Sequence, residues 1–109
     1  MSRIIGNRGA SWRATVTDIG TLVPSDGSGE IAWHVAGDDR WYSPAQEPTL
    51  RQKWYAGFPV CETRIRVGNG DVVQRIYSVA DLGGMTVIEF ENESTLPIAV
   101  AVTRSDLFT

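Results

Sequence analysis

Asp38 and Asp39 stand side by side, immediately before Arg40, Trp41 and Tyr42. Paired carboxylates are the equipment of glycoside hydrolysis, one serving as acid and the other as base or nucleophile. Acids beside flat aromatic rings also suit a non-catalytic sugar site, where rings stack on sugar faces and Asp38, Asp39 and Arg40 hydrogen-bond hydroxyls. The plainer alternative is a solvated turn held down by a hydrophobic anchor. Nothing else in the sequence supports catalysis at this pair, and we assign no catalytic residue. For Trp41 and Tyr42 two readings stay open: ligand contact, or a loop anchor and domain-interface plug.

Other chemistries fail on residue supply. His34 is the only histidine and Cys61 the only thiol, so a structural zinc site lacks ligands, and no metal or other cofactor is expected. A Ser-His-acid site would have to use His34 as its base, yet no serine occupies a Gly-x-Ser-x-Gly elbow. His34 beside Trp33 reads as a half-exposed sheet residue, and Cys61 as a small core residue. Asp26-Gly27-Ser28-Gly29-Glu30 spaces oxygen donors as calcium loops do, but with too few donors, and reads as a flexible turn. There is no glycine-rich phosphate loop. Asn92-Glu93-Ser94 matches the glycosylation pattern, which matters only in a secreted eukaryotic protein. Arg64, Arg66 and Arg75, with Glu62, read either as a solvated sheet face or as a face that a partner domain covers.

The composition narrows the partners. The net charge is −3 and the basic residues are scattered, so the stripe that nucleic-acid binding needs is missing. No apolar run approaches the ~20 residues that span a bilayer, and the N-terminal residues Met1 to Asn7 do not form a signal segment. A cytoplasmic location with no membrane partner is the expectation, and a single cysteine agrees with a reducing compartment. With 42% apolar and 21% charged residues, the 109 positions suit one domain spanning 1–109.

The elements that must position these residues are short strands. Glycine or Asp-Gly breaks recur along the chain, and no dozen residues keep a helical apolar period without Gly or Pro. That pattern predicts an all-β, antiparallel two-sheet β-sandwich. Cys61, Thr63, Ile65 and Val67 alternate with Glu62, Arg64 and Arg66, then Gly68-Asn69-Gly70-Asp71 offers an Asn-Gly turn. This predicts a hairpin with Val67 opposite Val72 and Thr63 opposite Ile76; which face of 72–79 is buried stays open. A second hairpin is expected from 85–91 to 97–103, with Ile88 and Phe90 beside Ile98 and Val100. Trp12 to Val16, Thr21 to Val23, Ile31 to Val35 and Arg51 to Tyr55 read as further strands, and Gly37 to Leu50 as a long loop. Tight turns are expected at Ala56-Gly57 and at Leu82-Gly83-Gly84. Trp12, Trp33 and Trp54 are expected in the core.

From Asp71 onwards a resemblance enters. The run Asp71 to Tyr77, the strand Thr86 to Glu91 ending at Asn92-Glu93-Ser94, the proline-led strand Leu96-Pro97-Ile98-Ala99-Val100 and then Arg104-Ser105-Asp106-Leu107-Phe108 are together similar to the N-terminal β-sandwich of glycogen-debranching and glucoamylase-like glycosidases. Such enzymes keep their catalytic acids in a separate α/α barrel. The resemblance therefore implies a non-catalytic accessory role, and the end at Thr109 suggests a piece of a longer enzyme. The implied partners are an α/α-barrel catalytic domain, a second copy through self-association, or a glycan. The alternative is a free-standing carbohydrate- or protein-binding module that uses its loop aromatics.

Overall fold

The computed structural model describes residues 3–5, 14–55, 57, 59–79 and 85–105, and it is an all-β protein of two antiparallel sheets. The first sheet contains β1 (Arg3–Ile5), β2 (Ala14–Val16), β3 (Leu22–Pro24), β4 (Ile31–Gly37), β5 (Arg40–Tyr42) and β10 (Ala99–Arg104). The second is a meander of β6 (Arg51–Trp54), β7 (Cys61–Val67), β8 (Gly70–Val79) and β9 (Met85–Asn92). The expected turn at Leu82-Gly83-Gly84, the expected core residue Trp12, and Ala56 all lie outside the described residues. β1 has no counterpart among the expected strands.

In the second sheet, Cys61 faces Ile76, Thr63 faces Gln74 and Ile65 faces Val72. The expected register is therefore off by two: Val67 pairs with Gly70, and the loop is Gly68-Asn69. Positive φ falls on Gly68 alone, at +61°, as at the first position of a II′ turn, and Gly70 already belongs to the strand. A two-residue slip leaves every side chain on its expected face. What fixes the slip is Gly70 itself: a Cβ there would lie 2.5 Å from the Glu93 carbonyl oxygen and 2.7 Å from Ser94 Cα. The face of β8 is now defined as well. Val72, Gln74 and Ile76 point inward and are buried, while Asp71, Arg75 and Tyr77 lie on the outer face.

The expected hairpin from β9 to β10 does not form. β10 crosses to the first sheet and pairs along β4, with Val100 opposite Val35 and Val102 opposite Trp33. The linking segment 93–98 is tied over the end of the β7–β8 hairpin. Asn69 Nδ2 donates to Thr95 Oγ1 at 2.8 Å, the Thr95 N–H donates to Asn69 Oδ1 at 3.1 Å, and Asn92 Nδ2 donates to the Leu96 carbonyl at 2.8 Å. Pro97 lacks the N–H that a continuing strand would use. Alternation alone cannot tell which sheet a strand joins, and Ile98, Val100 and Phe90 still meet in the same core.

That core has two apolar halves. Ala14, Val16, Leu22, Cys61 and Ile76 form one, with Ile31, Trp54 and Ile88 packed against it. Trp33, Val35, Tyr42, Ile65, Val67 and Val72 form the other. Between them runs a polar belt, because the central inward positions of β7 and β8 are Thr63 and Gln74. The loop from Thr17 to Thr21 supplies the carbonyls this belt needs. Gln74 Nε2 donates to Gly20 O at 2.9 Å, Gln52 Nε2 to Thr17 O at 2.8 Å, and Trp33 Nε1 to Ile19 O at 3.3 Å. Gly20 has φ +80°, and a Cβ there would strike Gln74 Oε1 and come within 2.9 Å of Trp33 Nε1 and 3.0 Å of Thr63 Oγ1. Gly20→Ala is therefore expected to destabilise the fold by about 2–4 kcal/mol through strain and overpacking. A urea midpoint unchanged from that of the wild type would refute this reading of the loop.

Candidate functional site

The segment from Gly37 to Leu50 is not the expected long loop. Gly37 pairs with Arg40 across a two-residue turn, Ala36 with Trp41 and Val35 with Tyr42, so β4 and β5 make a tight hairpin. Asp38 and Asp39 are its two turn residues, with φ of 52° and 60°. Positive φ at both positions is the type I′ pattern, for which Asn-Gly is the favoured pair. Aspartate tolerates this region better than most residues but remains strained there, by roughly 1 kcal/mol or more each. β5 stops after Tyr42 because the next ladder position falls on Pro44, which has no N–H to give. A single 3₁₀ turn, Pro44–Gln46, follows.

Strand parity separates the two aromatic candidates. Tyr42 shares the inward face with Val35 and is buried at 4% exposure in the core. Trp41 lies on the outer face and is 59% exposed. Arg40 turns the same way as Tyr42: its guanidinium carbon sits 3.6 Å from the Tyr42 ring centroid, and Nη2 lies 3.5 Å from Glu47 Oε1. Of the five expected site residues, Tyr42 therefore leaves the group, while Arg40, although its guanidinium stacks on that ring, still lines the same surface groove as the other three. Asp38, Asp39 and Trp41 border an open groove of about 630 Å³, whose floor is Ala36 and Ala99 and whose opposite wall is Leu96, Pro97 and Ile98. No local pattern points to that wall, because the crossover of β10 brings it there. The groove thus has an exposed indole on one side and two unshielded carboxylates at one end.

His34 and Ser43 also meet, across the hairpin, with Nδ1 and Oγ hydrogen-bonded at 3.0 Å. This is two-thirds of a hydrolase triad by composition. Among the described residues His34 makes no other side-chain hydrogen bond, so nothing orients its ring as a base. The pair fastens β5 to β4 where Pro44 ends the ladder. Asp26 accepts from the Ser28 N–H at 2.9 Å and from Ser28 Oγ at 2.6 Å, a self-contained turn. No cluster of three metal-ligating side chains occurs among the described residues, and no helix there is long and apolar enough to cross a membrane.

The arginine face is occupied by its own acids. Arg64 donates to Glu62 Oε1 at 2.9 Å and to Asp71 and Glu93 at 3.0 Å each. Arg75 donates to Glu62 Oε2 at 3.0 Å and pairs with Glu91 at 2.8 Å, while Arg51 reaches Asp71 at 2.7 Å. Tyr55 Oη adds a further donor to Glu62 at 2.9 Å. Arg66 differs: it is exposed, and among the described residues its guanidinium donates to the Asn69 carbonyl, at 3.2 Å, and to no acid. Burial pushes the Glu62 carboxyl up, but the hydrogen bonds from Arg64, Tyr55 and Arg75 outweigh it and hold the group below its ordinary 4.5. Asp71 is likewise raised by burial and lowered further by Arg51 and Arg64, to a position below 3.8.

No family model, no curated protein and no solved structure matches the chain.

Two predictions follow from this geometry. Asp39→Gly relieves a left-handed side chain and is expected to stabilise the protein by about 0.5–1 kcal/mol, read as a raised urea midpoint. For a depressed carboxylate, stability is complete above its unfolded pKa and is lost as pH falls through its folded pKa. The network contribution should therefore be intact above about pH 5 and fade below the ordinary values of 4.5 and 3.8. Glu62→Gln should flatten that acid limb and cost about 1–3 kcal/mol at pH 7; an unaltered limb would show that Glu62 carries none of it.

Proposed function

We propose that this chain is a non-catalytic carbohydrate-binding module whose contact surface is the groove beside the β4–β5 hairpin. The observation that carries the reading is Trp41: a large ring held out on a short, well-paired strand, above a floor of alanine methyls and next to two carboxylates. A sugar ring stacks its apolar face on the indole, and its hydroxyls donate to Asp38 and Asp39. The strain at these two aspartates supports a role beyond turning the chain, since Asn-Gly would turn it at lower cost. The accessory role implied by the glycosidase resemblance remains a form of this proposal, with the groove presented to a glycan that a separate domain would process. A partner domain on the arginine face is less favoured, because Arg64 and Arg75 already spend their donors on Glu62, Asp71, Glu91 and Glu93.

The test is a tryptophan-fluorescence titration with a panel of neutral oligosaccharides, glucans included. A saturable change is expected for at least one, weakened about tenfold or more by Trp41→Ala, or ~1.4 kcal/mol, and weakened also by Asp39→Gly despite its greater stability. No response across the panel, or a response that survives Trp41→Ala, would refute the proposal.

A further inference from the structure

The arginines of the two sheets are unevenly matched by acid. Arg51 meets Asp71, and Arg64 and Arg75 share Glu62 while also reaching Asp71, Glu93 and Glu91. Arg40 has one acidic contact, Glu47 Oε1 at 3.5 Å from Nη2, longer than an ordinary charge-assisted hydrogen bond. Arg66 meets no acid among the described residues, and its Nη2 donates to the Asn69 carbonyl at 3.2 Å. Both side chains are exposed, and both line a second open groove, of about 540 Å³, which shares Arg40 with the groove beside Trp41.

Local structure brings the pair to one groove. The Gln46 N–H donates to the Ser43 carbonyl at 2.9 Å, the Leu50 N–H to the Glu47 carbonyl at 3.2 Å, and the Arg66 N–H to Thr49 Oγ1 at 2.9 Å. These bonds fold the segment after β5 back onto β7, so residues 46–49 line the groove together with Arg40 and Arg66. Arg40 rests on the Tyr42 ring at 3.6 Å, and that ring is fixed in the core. The contact engages the face of the guanidinium, whereas its N–H groups radiate from the edge. A guanidinium carries five N–H donors in a planar fork, and one carboxylate oxygen or one carbonyl leaves most of them to spare. Among the described residues the groove sets two cations against one anion, Glu47.

We infer that this second groove is an oxyanion site, in which a tetrahedral anion is held between Arg40 and Arg66. Such an anion offers more than one edge of paired oxygens, so each guanidinium fork can take its own. The group can arrive as a free ion or as an ester on a larger molecule. Both arginines are exposed, so water competes and salt screens, and millimolar affinity is expected for the free ion. This inference stands whether or not the neighbouring groove takes a sugar.

The test follows the arginine Nε–H resonances of the isotope-labelled whole chain as sodium sulfate is added from about 0.1 to 50 mM, with sodium chloride holding the ionic strength constant. The signals of Arg40 and Arg66 are expected to move along one saturable curve while those of Arg51, Arg64 and Arg75 stay. Arg66→Gln should weaken binding about tenfold, and it leaves the fold intact because this side chain is exposed. Glu47→Gln should tighten binding several-fold, since it removes the one acid that lines the groove. A purely structural role for these residues would not give effects of opposite sign. A sulfated glucose titrated in parallel identifies the source: tighter binding than sulfate assigns a sugar ester, and equal binding the free ion. Signals that drift without saturating, or a saturation that Arg66→Gln leaves unaltered, would overturn the inference.

Discussion

A strip of buried amide and hydroxyl groups through the middle of the sandwich dictates how the two sheets meet. Gln74 and Thr63 occupy inward positions where an apolar pair would otherwise complete one continuous core. Once buried, these groups require partners, and each unmet one costs on the order of 1–3 kcal/mol. The carbonyls of Thr17, Ile19 and Gly20 satisfy the donors Gln52 Nε2, Trp33 Nε1 and Gln74 Nε2 only if the β2–β3 loop folds inward over Trp33, while Gln74 Oε1 has no partner among the described residues. The position of that loop then fixes the start of β3, and Leu22 opposite Ile31 fixes how β3 sits on β4. A purely apolar seam would have tolerated sliding of one sheet over the other; donors matched to specific carbonyls do not.

The outer face of the second sheet is organised by a different force. Glu62 is almost wholly buried on a face that strand parity directs toward solvent, because Arg64, Arg75 and Tyr55 close over it. Val73 is buried on the same face, where its cross-strand neighbours are Arg64 and Glu91. The aliphatic stems of such charged residues cover apolar surface while their heads pair with one another. The face is thus closed by its own side chains, whereas the outer face of the first sheet, lined by Ala32, Ala36 and Ala101, has no comparable cover among the described residues.

Much of this architecture was written in the local pattern. The class, the strands β7, β8 and β9, and the inward set Cys61, Thr63, Ile65 and Val67 follow from a period of two. Partner choice does not. Val100 and Val102 alternate identically whichever sheet they join, so the crossover of β10 was invisible, and with it the far wall of the groove. The hairpin register was misread because Gly68-Asn69 and Asn69-Gly70 are chemically similar turns, and the choice between them is made by the backbone of Glu93 and Ser94. β5 escaped notice because its turn uses two aspartates where glycine signals a hairpin. For the same reason Tyr42 reads as a site residue in the sequence: without a strand there is no parity to send it inward. Asp38, Asp39 and Trp41 were legible as a group because nearness in sequence holds them together.

The crossover of β10 also orders events during folding. Strands β6 to β9 pair only with sequence neighbours, so each closes a short loop and the meander can assemble by itself. β4 must instead wait for residues 99–104, which lie beyond the entire meander, before its second edge is filled. Until then Trp33 and Val35 belong to an incomplete sheet in which one edge of β4 stays within reach of other chains. The slow step of this protein is accordingly assigned to a single long-range strand docking, and its most aggregation-prone species to the chain in which the meander is formed and that docking is not.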